Sequence, residues 1–188
     1  MTAGGDFVYG LREWLRAHDL DPDSEDLAGT PGRVLRMYEE FTSGYALDPK
    51  DVLARNFDIH RSNEPIIVTD VDFVSTCAHH LLPFHGQAMI AYAPSPGAPV
   101  VGLSKLPRLL DISARRLQTQ ETLTRQVTDA LDLHLDITGA ACVIKATHGC
   151  LAHRGAHKPG TVMTTASYTG IYLADASARA ALHRLADM

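Results

Sequence analysis

From Pro65 onward the apolar residues stop recurring at helical spacing and gather into β-branched and aromatic runs, a switch that sets the fold class. Before it, Phe7, Leu11, Trp14 and Leu15 share one helical face. Thr30-Pro31 opens a second helix, with Thr as N-cap, Pro at the first helical position and Gly44 as a stop. Its apolar face carries Val34, Met37, Tyr38 and Phe41, and a short helix runs from Asp48-Pro49 to Leu53. After the switch, Ile66-Ile67-Val68 with Val71, Phe73 and Val74 predicts one strand, and Ala88 to Ala93 a second. Helices over Ser104–Ala114 and Gln120–Leu135 follow, then strands over Gly139–Ala146 and Val162–Tyr172 and a closing helix over Ala176–Leu185.

Two hairpin-like strand pairs separated by helices predict an α+β fold, with a four-stranded antiparallel sheet and helices on one face. The length of 188 residues suits one domain. Within it, residues 1–60 read as an N-terminal helical region and 61–188 as the region that carries the sheet. Such a sheet leaves free edges, which must be covered or paired, and oligomerisation supplies a partner.

The formal net charge of −5, with no basic tail or stripe, argues against a nucleic-acid binder. No apolar run reaches the length of a membrane span, and the Gly-rich, acidic start is unlike a signal peptide. A cytoplasmic protein with no membrane partner is expected. Three cysteines are too few for a disulfide framework and point to thiol or metal chemistry. Cys142 lies in the apolar stretch Ala140-Ala141-Cys142-Val143-Ile144 and reads as core. The other two lie beside histidines, in Cys77-Ala78-His79-His80 and in Thr147-His148-Gly149-Cys150. Cys77, His80 and Cys150 are therefore candidate ligands of one zinc ion, and three protein ligands leave a tetrahedral ion one position open for water.

The run from Ser75 to Gly86, which includes Cys77-Ala78-His79-His80, resembles the zinc loop of the GTP cyclohydrolase I family. Thr30-Pro31-Gly32-Arg33-Val34, Val101-Gly102-Leu103-Ser104-Lys105, Leu117-Gln118-Thr119-Gln120-Glu121 and His148-Gly149-Cys150 with Arg154-Gly155 are similar to further blocks of that family, in the same order. The resemblance implies a T-fold, in which four-stranded sheets associate into barrels. In bacterial members two pentameric rings stack as a homodecamer, and each active site draws on more than one chain. It also implies zinc-dependent opening of the guanine imidazole ring of GTP. Formate leaves and the remainder rearranges to 7,8-dihydroneopterin triphosphate, the entry to folate and other pterins.

The resemblance gives the residues roles. His148 would protonate N7 of the purine, and His79 would carry a further proton or orient the water. Glu121 would accept hydrogen bonds from N1–H and the exocyclic amine of guanine, assisted by Gln120. Arg33, Lys105, Arg108 and Arg154 would hold the triphosphate, with Ser104 adding a donor at a helix start. His85, His134 and His183 read as structural or surface groups, while His153 and His157 lie near the expected site without a motif of their own.

Pro159-Gly160 occupies a stretch that is normally more polar in the family, and two further positions depart from its pattern. Ala78 stands where the loop normally carries a glutamate, and Thr122 replaces the arginine usual after Glu121. Two further readings follow: a specialised relative that acts on another purine nucleotide or stops at a formamide, and a silent T-fold subunit that binds a pterin or a partner.

Overall fold

The computed structural model describes residues 3–54, 56–61 and 64–187. It divides into two compact units, Met1–Thr42 and Ser43–Met188. The boundary read from the sequence, between residues 60 and 61, falls instead at the end of a strand.

The first unit is a helical pair, α1 (Ala3–Arg16) and α2 (Thr30–Phe41). Pro31 lies in the first turn of α2, where its missing N–H costs nothing. The cap position belongs to Gly29 rather than to Thr30. Phe7 meets Tyr38 edge to face, with ring centroids 6.2 Å apart, which ties the two helices together.

The second unit opens with a 3-10 turn at Ser43–Ala46 and α3 (Pro49–Leu53), capped by the Asp48 side chain on the Lys50 N–H. β1 (Asn56–Arg61) pairs antiparallel with β4 (Pro99–Val101) in a small separate ladder. The main sheet holds β2 (Ile66–Cys77), β3 (Pro83–Pro94), β5 (Leu117–Gln118), β6 (Ile137–His148) and β7 (Met163–Tyr168). Their order is β5-β2-β3-β6-β7. All neighbours are antiparallel except β5, which runs parallel to β2 through Thr76↔Leu117 and Cys77↔Gln118.

The sheet is thus five-stranded and mixed, where the sequence predicts four antiparallel strands. Two residues of β5 carry no periodicity, so its pairing is set by tertiary position alone. The four strands expected from sequence form the β2-β3-β6-β7 core of the sheet.

Helices lie on both faces, which corrects the expectation of one. On one side α4 (Lys105–Ala114) and α5 (Gln120–His134) bury Leu106, Leu109, Leu110, Leu123, Val127 and Leu131 against Phe73, Phe84, Ile90 and Ile144. Burial of each such side chain contributes about 1.5–3 kcal/mol, so this layer dominates the stability of the unit. On the other side α7 (Gly170–Ala174) and α8 (Ala176–Ala186) place Tyr172 and Leu182 on Ala91, Ala93 and Ala141. These three alanines, alternating along β3 and β6, leave room for that second layer.

The predicted fourth strand stops at Tyr168 rather than Tyr172. Gly170 takes φ 51°, and a side chain on it would come within 2.0 Å of the Thr138 carbonyl oxygen, so the chain turns into α7 there.

Candidate metal centre

β2 and β6 run in the same direction with β3 between them, so Cys77 at the end of β2 and His148 at the end of β6 reach one edge of the sheet together. Cys77 is followed by a turn of five residues. The Leu81 N–H donates to the Cys77 carbonyl at 2.8 Å, and the Cys77 N–H donates to the Leu82 carbonyl at 2.9 Å. Leu81 takes φ 54°, a left-handed conformation that costs a residue with a side chain about 1–2 kcal/mol. The turn presents the exposed rings of His79 and His80 at its tip.

After His148 the chain enters α6 (Gly149–Ala152), whose second residue is Cys150. A Cβ on Gly149 would meet the Pro83 carbonyl oxygen at 2.9 Å. Only glycine lets the segment that carries Cys150 approach the turn that carries His80 so closely.

The result is a three-atom donor set. One ligand atom each from Cys77, His80 and Cys150 lies within 4.8 Å of the other two. The Cys77 Sγ to His80 Nδ1 distance is 3.9 Å. Zinc–sulfur bonds of about 2.3 Å and zinc–nitrogen bonds of about 2.0–2.1 Å at tetrahedral angles put donor atoms roughly 3.5–3.8 Å apart, so a small shift closes the set on an ion. Burial, and then the neighbouring Cys77 sulfur, push the Cys150 thiol above its ordinary pKa. A divalent cation between the two sulfurs would remove that penalty. His79 Nδ1 lies 4.0 Å from Cys77 Sγ, beside the donor set but not part of it.

His148 stands next to this set on β6. Its ring stacks on Phe84, its register partner on β3. Burial lowers the pKa of His148, and the Glu121 carboxylate partly opposes that shift. His148 Nε2 lies 2.8 Å from Gln120 Oε1. Gln120 is fully buried at the start of α5, although the resemblance places it at a guanine base. Its amide nitrogen is held by the carbonyls of Ile144 and Met163 and by Thr165 Oγ1.

Glu121, one residue on, is exposed. It lines a cleft of ≈ 350 Å³ with Thr122, Thr124, Arg125, Thr165, Ala166 and Ser167, along β7. Lys105 and Arg108 line a second cleft of ≈ 350 Å³ with Ala46, Leu47, Asp48, Asp51 and Val52. The two clefts have no residue in common. Ser104 is the exposed cap residue of α4, and Arg154 is exposed beyond α6. Arg33 belongs to the other unit, where its guanidinium donates to Thr30 Oγ1 at 2.8 Å and to the Asp26 carbonyl at 3.3 Å.

Other histidines have local partners. His85 meets Thr147 Oγ1 at 3.4 Å, and His183 meets the Tyr168 hydroxyl at 2.8 Å. Cys142 is buried, and that burial raises its pKa far from thiolate chemistry, in keeping with a core role. Sequence reasoning passed over Phe84 and Thr165, which brace His148 and Gln120. Their signal lies in the strand register, which places Phe84 opposite His148 and Thr165 opposite Ile144.

Among the described residues, no helix is long and apolar enough to cross a membrane. A family model for GTP cyclohydrolase I matches residues 8–187. Over 170 residues the chain is 47% identical to a GTP cyclohydrolase 1 of Mycobacterium leprae, covering 90% of this chain and 82% of that protein. It is 46% identical to one from Mycolicibacterium gilvum, covering 90% and 84%, and 45% identical to one from Mycobacterium tuberculosis with the same coverage. Motif order, fold and overall similarity agree, and the chain belongs to the GTP cyclohydrolase I family.

Proposed function

We propose that Cys77, His80 and Cys150 hold a zinc ion at which the imidazole ring of GTP is opened. The activity itself is that of the family: a hydrolase of the cyclic amidine of GTP that releases formate and yields 7,8-dihydroneopterin triphosphate for pterin and tetrahydrofolate synthesis. The observation that carries the metal assignment is the convergence of two sulfurs and one imidazole nitrogen within 4.8 Å, drawn from the end of β2 with its turn and from α6, whose cysteines lie 73 positions apart in sequence. That donor set suits zinc. When bound, zinc with three protein ligands supplies a Lewis acid and an activated water.

The chain's own residues do the rest. C8 of the purine is electron-poor because it lies between two nitrogens, and its attack by water needs a proton at N7 as the ring opens. His148, held flat on Phe84 beside the donor set, is the proton donor. His79, at the exposed tip of the turn, carries a further proton during the second hydrolysis, in which formate leaves. Glu121 accepts from N1–H and the exocyclic amine of guanine in the cleft along β7. Arg154, Lys105 and Arg108, with Ser104, bind the triphosphate.

Lys105 and Arg108 line a cleft that shares no residue with that of Glu121, which supports a site completed by neighbouring subunits. β7 ends the order of the main sheet and lines the Glu121 cleft, so its outer edge is the surface a neighbour would pair with. A barrel-forming homo-oligomer, a decamer, is the assembly that follows. Sedimentation of the purified protein tests it.

Incubation of metal-loaded protein with GTP tests the function. Formate and a product of the mass of dihydroneopterin triphosphate, in equal amounts, are expected. A product that retains the formyl group, or no turnover of GTP, would count against it.

A further inference from the structure

We propose that Gln120 is a positioning residue for His148: it holds a proton on Nε2 in both charge states, so that Nδ1 is the nitrogen that takes up a proton from water and, from the imidazolium form, gives it to N7 of the substrate. The proposal rests on the reading above, in which His148 carries that proton.

The direction of the Gln120 amide is determined by its surroundings. Its Nε2 lies 3.1 Å from the Ile144 carbonyl oxygen and 3.1 Å from the Met163 carbonyl oxygen. Both can only accept. The reversed amide would set Oε1 against two carbonyl oxygens inside a fully buried site, which is strongly unfavourable. Oε1 therefore faces His148 Nε2 at 2.8 Å. A carbonyl oxygen carries no hydrogen, so the imidazole must donate, and Nε2 is the protonated nitrogen.

The hydroxyls beside Gln120 are oriented in the same way. Thr124 Oγ1 donates to the Gln120 backbone carbonyl at 2.7 Å. At its 2.6 Å contact with Thr165 Oγ1 it must then accept, so Thr165 donates there and receives the Gln120 N–H at 3.1 Å. Both hydroxyl protons therefore have one place to go, and the two amide protons of Gln120 are shared among three acceptors. The amide is braced from β6 and β7 at once, so its rotation would break contacts on both strands. Phe84 fixes the plane of the His148 ring, and Gln120 fixes its rotation within that plane. The arrangement separates Gln120 from Glu121: the first is spent inside the protein, the second faces the cleft.

The test reads the tautomer directly. In metal-loaded protein labelled with nitrogen-15 histidine, at a pH of about 8.5 where imidazole is neutral, the His148 signals are identified by their loss in His148→Asn. Nε2 is expected in the protonated, pyrrole-like range and Nδ1 in the unprotonated, pyridine-like range; the opposite pattern overturns the proposal. Gln120→Met, which keeps the length without the amide, is expected to lower kcat for formate release about 30-fold. KM for GTP should stay within about twofold and the metal content should be unchanged. A raised KM with kcat preserved would make Gln120 a guanine contact and overturn the proposal. If Gln120→Met does not fold, the wild-type spectrum decides alone. That spectrum can be read whether or not GTP is turned over, so failure of the functional reading is distinguishable from failure of this one.

Discussion

The rings of Phe84 and His148 lie 4.7 Å apart between centroids and within 3° of parallel. They are register partners on β3 and β6, and Phe84 is fully buried, so a core side chain forms the floor under the His148 imidazole. Phe84→Leu should cost about 1–2 kcal/mol in denaturant unfolding, because the cavity is partly refilled. It should also lower turnover about tenfold, because His148 loses the face it rests on. A variant destabilised to that extent with unchanged turnover would show that the stacking has no part in the chemistry.

Cys150→Ser removes one of two sulfurs from the donor set while keeping a side chain of similar size. The metal content of the purified protein should fall to below about a tenth of an equivalent, and formate release with it. Circular dichroism should remain native, since Cys150 is only partly buried and serine fills nearly the same space. Retention of a full equivalent of metal would remove Cys150 from the ligand set.

Glu121 lines its cleft from the first turn of α5 without a buried role, so its removal should act on substrate and spare the fold. Glu121→Ala is expected to raise KM for GTP or lower kcat/KM by about 100-fold or more, with stability within about 0.5 kcal/mol. The same variant should lose most of the preference of the wild type for GTP over inosine triphosphate, which lacks the exocyclic amine. An undiminished preference would place guanine recognition elsewhere.

Ala78 is exposed, and its backbone N–H is tied to the Gln118 carbonyl at 3.0 Å. Ala78→Glu therefore has space for its side chain and should leave stability within about 0.5 kcal/mol. A carboxylate beside His79 and His80 can orient an imidazole, and outer contacts of this kind change metal affinity or activity by about 10–100-fold. The expected result is tighter metal retention against a chelator and faster formate release. Equal retention and rate in the two proteins would make Ala78 a neutral departure.

The donor set was legible in the sequence because thiolates and imidazoles at short spacing carry their chemistry wherever the chain takes them. The strands that deliver them were legible too, from the β-branched runs at Ile66–Val74 and Gly139–Ala146. Gln120 was not. A glutamine beside a glutamate at a helix start is as compatible with solvent as with burial, and its partners are carbonyls on β6 and β7 more than twenty positions away. The closing helix was legible but the face it covers was not, for a related reason: Ala91, Ala93 and Ala141 are small, and small residues do not announce which face they cover. β4 and β5, three and two residues long, fall below the length at which alternation has meaning.

The most direct measurement is X-ray absorption at the metal edge of protein that is turning over GTP. Two sulfurs at about 2.3 Å and nitrogen or oxygen donors at about 2.0–2.1 Å are predicted, with one sulfur lost in Cys150→Ser. A shell of nitrogen and oxygen alone in the active protein would contradict the metal centre described here.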